Sequence, residues 1–198
     1  MARKTTITKD MILEAALTML IRDGYASVNI KTLAKEIGCS TQPIAWHFEN
    51  MDGLRLALAQ YAEEYARRKT AAMVKGEDAA SMFEQMGRAY VRMALKEPNL
   101  FRFLYLGERP ISKPFTMRSM VGGKHDRAMI EGIAEQTGLT KDQAGRCIQN
   151  TVIYAHGLAT MVATGVLKAS EKALMAMIND AAAGFVQKAL KTVTLDQN

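Results

Sequence analysis

Three histidines, two cysteines and the carboxylates are the groups in this sequence that could carry acid–base, nucleophilic or metal chemistry. Their spacing supports none of these. His47, His125 and His156 sit in three separate regions, and Cys39 and Cys147 are far apart and match no metal-ligand spacing. No serine or cysteine is paired with a base by any motif, and "GGKHD" at Gly122 lacks the strand and spacing of a nucleotide loop. Catalysis, a metal and a cofactor are therefore not expected. The chemistry that the residue types do allow is recognition, and it is concentrated in "IGCSTQPIAWHFENMDGL", Ile37 to Leu54. There Ser40, Thr41, Gln42, Pro43, Trp46 and His47 stand close together, with Lys31 just upstream. Glutamine can pair with an adenine edge, threonine can touch a thymine methyl, and lysine can reach guanine.

The elements around this stretch decide whether those groups can act together. Thr8 is a good N-cap, and Ile12, Leu13, Ala16, Leu17, Leu20 and Ile21 follow as one apolar stripe that Gly24 stops. Asn29 can cap a second helix, Ile30 to Ile37, with Ile30, Leu33, Ala34 and Ile37 turned inward; Gly38 ends it. Ser40 can cap a third, Thr41 to Phe48. Pro43 then falls in a first turn, where its missing N–H has no intrahelical partner anyway. Ile44 and Phe48, four apart, share the buried face, so Thr41, Gln42 and Trp46 point outward. Two short helices joined by a glycine turn, with an exposed polar face at the start of the second, are what enters a DNA major groove. Trp46 is read either as a groove contact or as packed against the first or fourth helix, and His47 either as a phosphate donor or as a surface or packing histidine.

Beyond Asp52 the chain changes to long helices. The first runs through "LRLALAQYAEEYARRK"; the next covers about Asp78 to Lys96, with Met82, Phe83, Met86, Tyr90 and Met93 on one side. "EPNLFRFLYL" starts with Pro98 in a first turn and ends at Gly107, and "GERPISKPF" is a loop. Thr116 to Gln136 is helical in pattern but broken at Gly122 and Gly123, and two more helices run about Lys141–Thr164 and Ser170–Thr192. The fold class expected is all-α with about nine helices: a three-helix DNA-binding domain over residues 1–50 and a helical bundle over 51–198. Hydrophobic residues make up 48% of the 198 residues, which supports a packed core, and the net charge of +6 fits an anionic partner without specifying one. No apolar run reaches the roughly 20 residues of a membrane span and no signal-peptide pattern opens the chain, so it is read as cytoplasmic.

Thr8 to Ala62 resembles the TetR family of bacterial transcriptional regulators. The matching features are "ILEAALTML", "GY" before the second helix, "IKTLAKEIGCS", and "WHF" followed by a leucine six residues later. The resemblance implies an all-helical, two-fold symmetric dimer whose first three helices bind DNA, with a ligand pocket and the dimer interface in the remainder. It also implies that a ligand shifts the spacing between the two reading heads and releases the operator. Two departures bear on affinity: Ala45 stands where the family usually has tyrosine, and Met51, with Glu49 close before it, where it usually has lysine. Both family residues contact phosphate, so their replacement predicts weaker binding or reliance on Arg3, Lys4, Lys9, Lys31, Lys35 and His47.

For the rest of the chain, Met82, Met86, Met120, Tyr90, Phe101, Tyr105 and Tyr154 could line a cavity for a flexible apolar effector or could be plain core. Asn150, Tyr154, His156 and Thr160 share one helix in two i, i+4 pairs and could orient the ligand. Gly157, Ala159, Ala163, Ala181, Ala182, Ala183 and Gly184 permit close helix approach, read as a two-fold interface built from the last two helices of each subunit or as packing within one. The function expected is a ligand-responsive repressor that binds a palindromic operator as a homodimer. The alternative is a ligand-binding or protein-interaction module on the same fold with weakened DNA binding.

Overall fold

The computed structural model describes residues 7–75, 78–107 and 124–195. Arg3, Lys4, Met117 and Met120 lie outside them, as does the side chain of His125. Among the described residues there are nine α-helices and no strand: α1 Lys9–Asp23, α2 Ile30–Ile37, α3 Gln42–Phe48, α4 Met51–Met73, α5 Ala79–Lys96, α6 Pro98–Tyr105, α7 Lys124–Thr137, α8 Lys141–Ala163 and α9 Glu171–Leu195. The all-α reading holds. The helices group into two compact units, one from Met1–Arg68 with Glu97–Ser112 and the other from Lys69–Lys96 with Lys113–Asn198, each as far as described. The division falls inside α4, and α6 belongs with the N-terminal helices although it follows α5 in sequence.

In the first unit the helix ends are set by short-range chemistry. The Thr8 hydroxyl accepts from the Met11 N–H, and Gly24, at φ 88°, ends α1. Asn29 Oδ1 accepts from the N–H groups of Lys31 and Thr32, while Thr32 Oγ1 accepts from the Asn29 N–H, a reciprocal cap on α2. α1 buries Ile12, Leu13, Ala16, Leu17, Met19 and Leu20, and α2 and α3 add Leu33, Ala34, Ile44 and Phe48. α6 packs on α1 and contributes Leu100, Phe101 and Phe103, all fully buried. Each such side chain is worth roughly 1.5–3 kcal/mol of burial. Asn99, at the start of α6, donates from Nδ2 to the carbonyls of Ile21 and Arg22 at the end of α1.

In the second unit α8 is the central helix, in contact with α5, α7 and α9. One cluster is built on Val91, Ala155, Leu158, Leu174, Met175 and Ile178, another on Ile133, Ala134, Leu139, Ala144, Cys147 and Ile148. Arg92 forks onto both carboxylate oxygens of Glu171 at 2.9 and 2.8 Å, with Arg88 beside it, which ties α5 to the first turn of α9.

The expectation for the third helix is corrected, and the burial of two other groups is now defined. The third helix starts at Gln42, not Thr41, and Ser40 does not cap it; the cap position is Thr41, which makes no side-chain cap bond. Thr41 already has helical angles (φ −71°, ψ −16°), and Pro43 at the second helical position has no N–H for a cap to accept. Met82 and Met86 do not share the buried face of α5, which is Ala89, Val91, Met93 and Ala94; both are exposed. Among the small residues of the last helices, Ala159 and Ala163 are buried within the chain itself, whereas Gly157, Ala183 and Gly184 are exposed.

Candidate nucleic-acid interface

α2 and α3 are joined by a turn with little freedom. Gly38 takes the left-handed conformation (φ 77°, ψ 33°) and its N–H, with that of Cys39, closes onto the carbonyls at the end of α2. Ile44 is fully buried and Phe48 nearly so, which fixes the rotation of α3. Thr41, Gln42, Ala45 and Trp46 therefore face outward, and Trp46 is 78% exposed. That exposure rules out packing of Trp46 against α1 or α4. Its indole meets the His47 ring edge to face, ring centroids 4.6 Å apart. The side chains of Ser40, Thr41 and Gln42 make no hydrogen bond to any described residue, and Pro43 sits half-buried between them and Ile44.

His47 is engaged elsewhere. Its Nε2 lies 3.0 Å from the carbonyl oxygen of Ile7. A carbonyl only accepts, so the ring proton is on Nε2 and ties α3 to Ile7, just before the N-cap of α1. Lys9 lies over the Phe48 ring at 5.6 Å from its centroid.

The charges divide into a neutralised side and an open one. Arg22 holds Asp23 and both oxygens of Glu36, and its guanidinium keeps those two carboxyls below the usual carboxylate range. Lys31 and Lys35, on the exposed side of α2, make no ion pair with a described residue. The open face thus offers a threonine, a glutamine, a tryptophan and two lysines on a rigid mount, the donor and acceptor set for base edges and phosphates. Sequence reasoning missed Asn50, whose Oδ1 caps α4 by accepting from the N–H groups of Asp52 and Gly53; an asparagine three residues before Gly53 was the available signal.

The expected effector residues fall in both units. Phe101 is fully buried in the first, with Tyr105, partly exposed, against it at 5.1 Å between centroids. In the second, Met82, Met86 and Asn150 are exposed, Tyr154 packs at the edge of the core, and Tyr90 meets His156, hydroxyl to Nδ1, at 2.6 Å. Burial lowers the pKa of His156. Thr160, one turn beyond, has a buried hydroxyl oxygen without a hydrogen-bond partner among the described residues. Among the described residues no cluster of histidine, cysteine or carboxylate could hold a metal, and no helix is long and apolar enough to cross a membrane.

Residues 12–58 match the profile of bacterial regulatory proteins, tetR family. That span takes in α1 to α3 and the start of α4. No curated protein matches the sequence significantly. In fold, the chain is similar to TetR from Acinetobacter baumannii AYE, at 17% identity over 92% of this chain and 98% of that one, TM-score 0.64. A variant of that protein in complex with minocycline is similar over the same shares, at 17% identity and TM-score 0.58. So is a putative transcriptional regulator from Pseudomonas aeruginosa PAO1, at 15% identity over 96% and 98% of the two chains, TM-score 0.66. The tetR-family profile is thus seated on the helix-turn-helix, so residues 12–58 carry that family's N-terminal DNA-binding domain, and the fold along the chain is shared with these solved structures.

Proposed function

We propose that this protein is a ligand-responsive repressor that binds a palindromic DNA operator as a homodimer and is released by a small apolar effector. The observation that carries the reading is the outward face of α3: Thr41, Gln42 and a 78% exposed Trp46, uncommitted to the chain's own packing and held by the buried Ile44 and Phe48. Lys31 on α2, with Ser40 and Pro43 at the turn, flanks that face; Lys9 and His47 are assigned to DNA contact with them, as is Lys4, which lies outside the described residues. Residues 1–50 then serve DNA and 51–198 serve effector and partner. The minocycline complex of the Acinetobacter relative supports a small-molecule site on this fold. Within the second unit, the described residues assigned to it are Met82, Met86, Tyr90, Asn150, Tyr154 and His156. A second copy is assigned to the exposed stripe of α8 and α9, where Ile153, Gly157, Met161 and Met177 lie open.

To switch between bound and free operator, the effector must prefer one state by several kcal/mol. The test of the reading is fluorescence anisotropy on DNA from upstream of the protein's own gene, across a range of salt. Sequence-specific binding with a steep salt slope, lost in Gln42→Ala and Trp46→Ala, supports it. Absence of binding at low salt overturns it in favour of a ligand-binding or protein-interaction module, the reading that Ala45 and Met51 favour.

A further inference from the structure

Glu49 is the one residue other than glycine with a positive φ among the described residues. Its angles, φ 63° and ψ −53°, combine with a 2.6 Å bond from the Asn50 N–H to the Phe48 carbonyl. Together these make a three-residue γ-turn of the rare, strained hand, with Glu49 at its centre. The turn is over-determined. Phe48 before it is buried, the Glu49 N–H donates to the Ala45 carbonyl, and Asn50 after it caps α4. The backbone of Glu49, and with it the direction of its Cα–Cβ bond, is therefore held.

The place where it is held matters. Gln42, Trp46 and Glu49 follow i, i+4, i+7 spacing, so the Cα of Glu49 continues the outward stripe of α3. Glu49 is exposed and makes no ion pair with a described residue. Glycine would occupy this backbone conformation without strain, and asparagine with less. The chain instead has an anion there, beside the face that would meet polyanionic DNA. The N-terminus of α4, which could have offered N–H groups to a phosphate, is already capped by Asn50 and followed by Asp52.

We infer that Glu49 limits the affinity of the reading head for the DNA backbone: a negative charge on a fixed backbone mount that weakens sequence-independent phosphate binding and leaves base readout by Thr41, Gln42 and Trp46 untouched. Because the phosphate term is common to operator and bulk DNA, Glu49 lowers affinity for both and leaves their ratio to base readout. The inference rests on the DNA-binding reading above and names the residue that sets its strength.

The experiment compares the full-length protein with Glu49→Gln and Glu49→Lys, using a labelled duplex of unrelated sequence and one from the protein's own upstream region. Glu49→Gln keeps shape and turn while removing the charge. It is expected to tighten binding to the unrelated duplex about threefold at low salt, with less effect at high salt, where the charge is screened. Glu49→Lys is expected to tighten it about tenfold and to steepen the salt slope by about one. Thermal unfolding of Glu49→Gln should match that of the parent. If both variants bind the unrelated duplex as the parent does, Glu49 does not set affinity and the inference falls. The same holds if Glu49→Gln changes the melting temperature without changing DNA affinity, since its role is then only structural. If neither parent nor variants bind any duplex at low salt, the DNA-binding reading fails and takes this inference with it.

Discussion

A Cβ placed on Gly53 would stand 2.2 Å from the carbonyl oxygen of Phe48. That same oxygen accepts from the Asn50 N–H, so it is pressed between the α3–α4 turn and the first turn of α4. Gly53 lies inside a helix, where alanine ordinarily gains about 1 kcal/mol over glycine. Here the neighbour is backbone in a strained turn and cannot step aside. Gly53→Ala is expected to destabilise the protein by about 2 kcal/mol net in chemical denaturation. It should also cost DNA affinity, because relief of the clash moves Phe48 and with it the rotation of α3. An unchanged or raised midpoint would show that the turn yields cheaply.

Asn99 supports the first unit from a distance. Its amide donates to two carbonyls at the end of α1, and its Oδ1 accepts from Arg102. Asn99→Ala removes the donors and is expected to cost about 1–2 kcal/mol. Asn99→Asp keeps an acceptor for Arg102 but sets a carboxylate oxygen against the Ile21 and Arg22 carbonyls, so it should cost at least as much despite its closer shape. Denaturant midpoints of the two variants decide the order. If Asn99→Asp matches the parent, the bonds to α1 carry no stability.

These two positions also show which parts of the structure the sequence discloses. Thr8, Asn29, Gly24 and Gly38 act within a few residues of themselves, so the ends of α1 and α2 could be read from a short window. The outward face of α3 could be read for the same reason, since Ile44 and Phe48 fix it. The start of α3 could not, because the hydroxyls that looked like caps precede a proline that offers no N–H. Asn99 bonds to carbonyls 77 and 78 residues earlier, beyond any local pattern. Periodicity found the stripe of Met82 and Met86, but periodicity reports a face and not what covers it. Tyr90 and His156 were each identifiable as polar groups on apolar helices; that they meet, 66 residues apart, is a tertiary fact. The γ-turn at Glu49 had no signal, because glutamate is not a residue that such turns favour.

His156 gives a pH dependence of known sign. Burial holds its pKa below the ordinary 6.5, so the folded chain resists a proton that the unfolded chain accepts. The stability that goes with the neutral ring is complete above the ordinary value and is lost as the pH falls through it toward the lowered one. His156→Gln removes the titration. Its melting temperature should therefore fall less than the parent's between about pH 7.5 and about pH 5.5. Parallel curves for the two proteins would show that the ring titrates alike in both states.

Glu171 acts at the acid end. The hydrogen bond from Arg92, aided by its charge and by Arg88, holds this carboxyl below the ordinary 4.5. The contribution is present above that value and is lost as the pH falls through it to the lowered folded value. Glu171→Gln should be modestly less stable near neutrality, since the pair is partly exposed, and should lose less on acidification than the parent. Arg92→Lys, which cannot reproduce the two-point contact, should behave in the same direction. Equal acid sensitivity in all three proteins would remove the clamp between α5 and α9 from the account.

Gly157 tests the assignment of a second copy to α8. Apart from its own helix backbone, no described residue lies within 4 Å of where its Cβ would stand, so none of these requires glycine there. In an exposed helix interior glycine costs about 1 kcal/mol relative to alanine. A close partner across the exposed stripe of Ile153, Gly157 and Met161 would account for its presence. Gly157→Trp should leave helix content intact while sedimentation shows a shift to monomer, because a large side chain holds the two helices apart. Operator affinity should fall with it, since the two reading heads no longer bind as a linked pair. Ala159→Trp provides the contrast: Ala159 is fully buried within its own chain, so that variant should unfold rather than merely dissociate. A Gly157→Trp protein that stays dimeric at the parent's affinity would exclude this face as the interface, and the partner would have to be seated elsewhere.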